Sequence, residues 1–248
     1  MKFKLINKNE IVFEKMPITH NFKIRETDIV KYFMPTLSYN KENNFLFLKK
    51  SCSLKKLQPS YDWLNCYEPE GHLDILVKDI IEAKLLRKND YLCFLSFKDM
   101  SLSTRFKKKG FNKIKLIDAK KDLMILEKNF LIETIQHKFQ LGNLNNINHK
   151  SKYKFLFARH IFEHVKNLDL FLKNAMYTLQ NDGYLLLEIP DCTRAIKTGD
   201  PTLYWEEHNY YFTPDSFKNF LKKKNYKLIY FKKFKDSLEN CLVAIIQN

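Results

Sequence analysis

KFLFARHIFEHVKNLDLFLKNAMYTLQNDGYLLLEIPD, residues Lys154–Asp191, decides how this chain is read. It opens on a compact apolar run, Lys154–Ala158, and closes on another, Tyr184–Ile189. Runs this short, with no apolar–polar alternation, suit strands buried on both faces. Leu168–Leu179 between them is amphipathic at helical spacing. Strand, helix, strand in this order is the crossover unit of a parallel sheet.

Working outward, the alternation continues. Upstream, Tyr91–Phe97 reads as a strand, Ser101–Lys109 as a helix ending at Gly110, and Lys113–Ile117 as a strand closed by Asp118. A weaker strand lies within Leu131–Lys138. Before these, Leu73, Ile75, Leu76, Ile80, Ile81, Leu85 and Leu86 recur at helical intervals over Glu70–Arg87. Downstream, Thr213 and Pro214 are a helix cap and first turn for Pro214–Lys223. Lys227–Phe231 and Cys241–Ile246 then follow as strands, joined closely enough for an antiparallel hairpin. The expected class is α/β: a doubly wound, mostly parallel sheet with a C-terminal antiparallel hairpin. Residues 1–60 read as a small N-terminal module of short extended pieces (Phe3–Leu5, Ile11–Phe13, Asn44–Leu48) around Pro17 and Pro35. Residues 61–248 form the main domain.

Composition bounds the partners. The chain has 248 residues and 45% hydrophobic content, ordinary for a globular protein. No apolar run approaches the ~18–20 residues that cross a bilayer. The start, MKFKLINKNEIVFEK, has charges where a secretory signal has an apolar stretch, so a cytoplasmic location is expected. Cys52, Cys66, Cys93, Cys192 and Cys241 form no CxxC pair, against a disulfide framework or a zinc ribbon. The net charge of +15, from 43 basic and 28 acidic residues, suits an anionic partner. Arginine occurs only at 25, 87, 105, 159 and 194, whereas nucleic-acid readers lean on its planar fork. The lysine excess is as well explained by composition bias, and a small anionic molecule is expected before nucleic acid.

In an open parallel sheet, ligands sit beyond the carboxyl ends of the strands. Asp118, ending the second strand, suits ribose hydroxyls, which a carboxylate can accept. The loop after the first strand, Ser96-Phe97-Lys98-Asp99-Met100-Ser101, has no glycine, although nucleotide sites want one there for close backbone approach. Either side chains such as Lys98 and Asp99 hold the ligand, or no nucleotide binds. Arg159-His160-Ile161-Phe162-Glu163-His164 is a dense polar cluster. Its His-x-x-Glu-His spacing matches an inverted zinc-protease motif. That motif belongs on a regular helix, however, and this one directly follows a strand. A structural role, as a helix start with packed histidines, competes. Farther on, Glu207 and His208 could be an orienting acid and a general base. Tyr204 and Tyr211 belong to the aromatics that would wall a small-molecule pocket.

Together, Arg159–Asp191 and WEEHNYYFTPDSF (Trp205–Phe217) resemble the class I S-adenosylmethionine-dependent methyltransferases, most nearly the group that methylates nucleotide-linked sugars. The second segment is the more specific match. MPITHNF (Met16–Phe22) and YDWLNCYEPEGHLD (Tyr61–Asp74) add to it, and the likeness spans residues 60–248, weakly 1–60. The resemblance implies a Rossmann-like domain, S-adenosylmethionine as cofactor and a sugar acceptor of polysaccharide or capsule biosynthesis. It implies His208 as base with Glu207 beside it. Asp118 would hold the cofactor ribose, Phe97, Lys98 and Asp99 would stand in the cofactor loop, and Arg159 and His160 would lie at the methionine portion. Glu163 and His164 would line the active-site mouth. The group's zinc cysteines are missing, so no metal is expected. SFKDMSLSTRFKKKGF keeps the length and helix of the glycine segment, which favours a variant loop over a dead one.

Overall fold

Every second residue of the central strands meets one face of a sheet and its neighbours meet the other, and helices cover both. The computed structural model describes residues 3–18, 23–57, 70–125, 153–236 and 240–247. The N-terminal stretch contributes β1 (Phe3–Asn7), β2 (Glu10–Phe13), β3 (Met16–Pro17), β4 (Tyr32–Phe33), β5 (Thr36–Asn40), β6 (Phe45–Leu48) and a short helix, α1 (Leu54–Leu57). The alternating part follows: α2 (Leu73–Glu82), β7 (Leu92–Phe94), α3 (Met100–Lys108) and β8 (Ile114–Leu116). After residues 126–152 come β9 (Tyr153–Arg159), α4 (Leu168–Thr178), β10 (Leu179–Pro190) and α5 (Thr193–Thr198). The chain ends with β11 (Tyr210–Tyr211), α6 (Pro214–Lys223), β12 (Lys227–Phe234) and β13 (Cys241–Gln247). The strand expected within Leu131–Lys138 lies outside the described residues.

The main sheet runs β12-β13-β10-β9-β7-β8. Its β8, β7, β9 and β10 are parallel, while β13 is antiparallel to β10 and β12 to β13. The expected α/β class, with its terminal hairpin, is present. One face carries Leu95, Leu156, Ala158, Leu185, Leu187, Leu242 and Ala244 under α4 and α6. The other carries Phe94, Phe155, Phe157, Leu186, Val243 and Ile245 under α2 and α3. This period-two division is why the strands read as unbroken apolar runs. β10 starts earlier than the sequence suggests because its pairing with β9 slips between Leu179 and Tyr184. A Cβ on Gly183 in that irregularity would meet the Gln180 carbonyl oxygen at 2.9 Å, so the bulge requires glycine.

Two further features position the site. The order changes direction between β7 and β9, which opens the ligand crevice of such sheets. The second sheet runs β1-β2-β5-β6-β11, so Tyr210–Tyr211 is a strand of the N-terminal sheet. β3, β4, β5 and β11 are not among the strands expected from the sequence. β11 exists through its partner β6, a contact with no local signature.

Candidate functional site at the carboxyl ends of the strands

Beyond β7 the glycine-free loop closes on itself. Ser96 caps a 3-10 turn, Phe97–Asp99, and accepts the Lys98 N–H at 3.2 Å. Asp99 turns inward, fully buried, and its carboxylate accepts the backbone N–H groups of Leu95 (3.1 Å), Ser96 (3.0 Å) and Arg159 (3.3 Å). Burial pushes this carboxyl up to about 7, against the downward pull of Arg159. Phe97 remains on the surface and Lys98 is half-buried. Both border a cleft of about 890 Å³ between α2 and α3, with Glu70, Met100, Ser101 and Arg105.

Arg159, last in β9, is buried too. It grips Glu188 of β10 with Nε (2.8 Å) and Nη2 (3.2 Å), and its Nη1 donates to the Lys98 carbonyl at 2.8 Å. His160 has a left-handed backbone, φ 48°, unusual without glycine. Its Nε2 meets Glu188 at 3.1 Å, and His72 Nε2 stands 3.1 Å from the same carboxylate. Arg159 and His160, read from sequence as cofactor contacts, thus converge on one buried carboxylate. Asp118 lies apart from them at the end of β8, exposed. Its Oδ1 accepts the Lys120 and Lys121 N–H groups at 2.9 and 2.8 Å, which holds it below the usual carboxylate range.

The second group forms where the turn after β9 meets the segment before β11. Phe162–His164 is a single 3-10 turn rather than the regular helix that the zinc-protease motif requires. Glu163, His164 and His208 each bring a ligating atom within 4.8 Å of the others. Glu163 is 1% exposed, and among the described residues neither carboxylate oxygen has a hydrogen-bond donor. His160 Nδ1 is 3.5 Å from it and His164 Nε2 3.9 Å, both long for charged hydrogen bonds. Burial works to raise Glu163, but the surrounding His160, His164 and His208 hold it below its ordinary value. His208 is half-buried, packed edge-on to His164 at 4.6 Å and stacked on Trp205 at 5.5 Å. Burial, then His164, lowers its pKa well below 6.5, and Lys98 acts the same way.

Asn209 ties the two segments together. Its backbone N–H donates to the Glu163 carbonyl at 2.7 Å, its side chain to the His164 carbonyl at 2.6 Å, and its own carbonyl accepts the Leu48 N–H of β6 at 2.9 Å. Glu207 is buried beside His208 in sequence. Tyr204 and Tyr211 pack with Phe13, Leu37 and Leu48 in the core of the N-terminal sheet, and the Tyr211 hydroxyl donates to the Trp205 carbonyl at 3.0 Å. Sequence reasoning passed over Glu188 and Asn209. Glu188 lies inside an apolar strand, and Asn209 reads as an ordinary loop residue; their partners are far away in the chain.

The family described as "Methyltransferase domain" matches residues 98–230, more than half of the chain. No curated protein matches. Among solved structures, the chain is similar to a 1,6-didemethyltoxoflavin-N1-methyltransferase of Burkholderia thailandensis, which carries bound S-adenosylhomocysteine. Identity is 8%, 71% of this chain and 78% of that chain are covered, and the TM-score is 0.48. It is also similar to a SAM-dependent methyltransferase of Aquifex aeolicus, at 11% identity, 72% and 93% coverage and a TM-score of 0.44. The matched residues run from the loop after β7 into β12, and on that match the chain belongs to the class I methyltransferases, enzymes whose cofactor is S-adenosylmethionine.

Proposed function

We propose that the chain transfers the methyl group of S-adenosylmethionine to a small anionic acceptor, a nucleotide-linked sugar or another precursor of a surface polysaccharide. The observation carrying this reading is the Glu163–His164–His208 group, whose ligating atoms lie within 4.8 Å of one another where the turn after β9 meets the segment before β11. The +15 charge of the chain favours an anion over a neutral or cationic acceptor.

The residues fit the cofactor at Asp118, whose ionised, exposed carboxylate has Oδ1 taken by backbone and Oδ2 to offer to ribose hydroxyls. The loop fits differently from a glycine-rich one. Asp99 already takes the N–H groups of Leu95 and Ser96, so the polar end of the cofactor falls to a side chain such as Lys98, with Phe97 an apolar neighbour. Bound there, the cofactor supplies an electrophilic methyl group. The chain's own residues do the rest: Asp118 orients, Lys98 attracts the acceptor, and the walls around His208 exclude water. Alignment of this kind supplies most of the rate in a one-step displacement. The proposed catalytic set widens from Glu207 and His208 to include Glu163 and His164.

Calorimetric titration of the full chain with S-adenosylmethionine tests the reading. Micromolar binding, weakened at least tenfold by Asp118→Ala, is expected. A panel of nucleotide sugars should then gain 14 mass units, one CH2, in its methylated member. Absence of heat at millimolar cofactor would overturn the reading.

A further inference from the structure

We propose that Glu163, His164 and His208 form a binding site for a divalent metal ion of the zinc type. One ligating atom from each lies within 4.8 Å of the other two. A four-coordinate ion with bonds of about 2.0–2.2 Å keeps its ligand atoms about 3.3–3.6 Å apart, so small side-chain rotations close the set.

Glu163 is the second, independent observation. Its carboxylate is 1% exposed, and among the described residues neither oxygen has a hydrogen-bond partner. A buried carboxylate needs a cation or several hydrogen bonds. The nearby guanidinium of Arg159 is spent on Glu188 through two bonds. The imidazole nitrogens of His160 and His164 stand 3.5 and 3.9 Å from it, longer than a usual hydrogen bond to a charged group. His208 Nδ1 is likewise buried, with no hydrogen-bond partner among the described residues. Glu163 and His208 meet across the two segments that Asn209 stitches together, and such fixing of ligand-bearing backbone is what a preorganised site requires.

The ligand chemistry selects the ion. Two imidazoles and one carboxylate suit Zn²⁺ and its first-row neighbours, whereas Mg²⁺ and Ca²⁺ prefer all-oxygen sets. Three protein ligands leave a fourth position open, the pattern of catalytic rather than structural zinc. That open position would take an oxygen of the acceptor, which is the one part of the inference that rests on the proposed methyl transfer. The site also departs from the expectation of no metal. It differs from the pair suggested by the His-x-x-Glu-His spacing, because His160 is turned to Glu188. The other clustered set, His72, Glu188 and Cys241, is a poorer candidate, since Arg159 already neutralises its carboxylate.

The test uses the full chain, freed of metal with a chelator and titrated with Zn²⁺ and, separately, Co²⁺. One Zn²⁺ per chain is expected, with affinity at least tenfold lower in Glu163→Gln and in His208→Ala, and 10–100-fold lower in Asn209→Ala. His72→Ala should bind as the unaltered chain does. Circular dichroism confirms that each variant is folded. X-ray absorption of the zinc-loaded unaltered chain needs no variant and should show imidazole nitrogen and oxygen around the ion. Sulfur scattering, loss of binding in His72→Ala but not Glu163→Gln, or no stoichiometric binding would each overturn the proposal. Cofactor titrations run alongside separate the two readings: cofactor binding without metal binding sinks the metal site alone, and metal binding without cofactor binding sinks the methyl transfer alone.

Discussion

Glu188 gathers Arg159 through two hydrogen bonds, with His160 and His72 each 3.1 Å away, in a place that water does not reach. Burial alone would raise its pKa, but the Arg159 charge and the two histidines hold it well below 4.5. A depressed carboxyl contributes stability that is full above its unfolded pKa and is lost as pH falls through the folded one. Glu188→Gln should therefore lower the unfolding free energy by about 3–5 kcal/mol at pH 7, since it takes the counter-charge from a buried guanidinium. The gap between variant and unaltered chain should narrow in acid, below pH 4.5. Urea unfolding from pH 3 to 7 measures it, and a gap constant with pH would contradict the assignment. This pair also marks the limit of reading residues from sequence. A polar residue just after a buried strand reads as a ligand contact, as Arg159 did, and nothing local announces that a glutamate 29 positions on will claim it. Asp118, by contrast, was legible as a strand-ending acid, because β8 ends where the apolar run ends.

Among the elements, α6 shows what local chemistry can dictate. Thr213 accepts the Ser216 N–H at 3.3 Å, Ser216 returns the bond to the Thr213 N–H at 2.8 Å, and Pro214 begins the helix. Thr213→Ala should cost about 1 kcal/mol, a fall in melting temperature of roughly 2–4 °C for a chain of this size. Differential scanning calorimetry would detect it, and an unchanged melting temperature would mean the cap is dispensable. Helices and central strands were legible for this reason: caps and apolar periods are written within ten or so residues. β11 was not. Its two tyrosines look like pocket walls until β6 is alongside, with Tyr210 opposite Phe47 and Tyr211 opposite Leu46. Half of the candidate site hangs on that pairing, because Asn209, which immediately precedes it, ties Glu163 and His164.

At the scale of the molecule, the N-terminal sheet and the main sheet are coupled by more than β11. Phe45 of β6 reaches into the core of the main sheet, against Phe212 at 4.9 Å and Phe220 at 6.1 Å. The expected outcome is one cooperative unfolding transition, with far-ultraviolet dichroism and tryptophan fluorescence superimposing. Two separated transitions would show that residues 1–60 fold independently. No described helix is long and apolar enough to cross a membrane. β12 ends the described order of the main sheet, and it carries Lys227, Lys232 and Lys233, two of them anchored to Asp79 and Asp191. An open sheet edge invites a strand from another chain to add to it, and lysines along the edge bring like charges together when two copies approach. On that principle, lysines such as the exposed Lys227 would set one copy of this edge against another, a use of the charge separate from any anionic ligand.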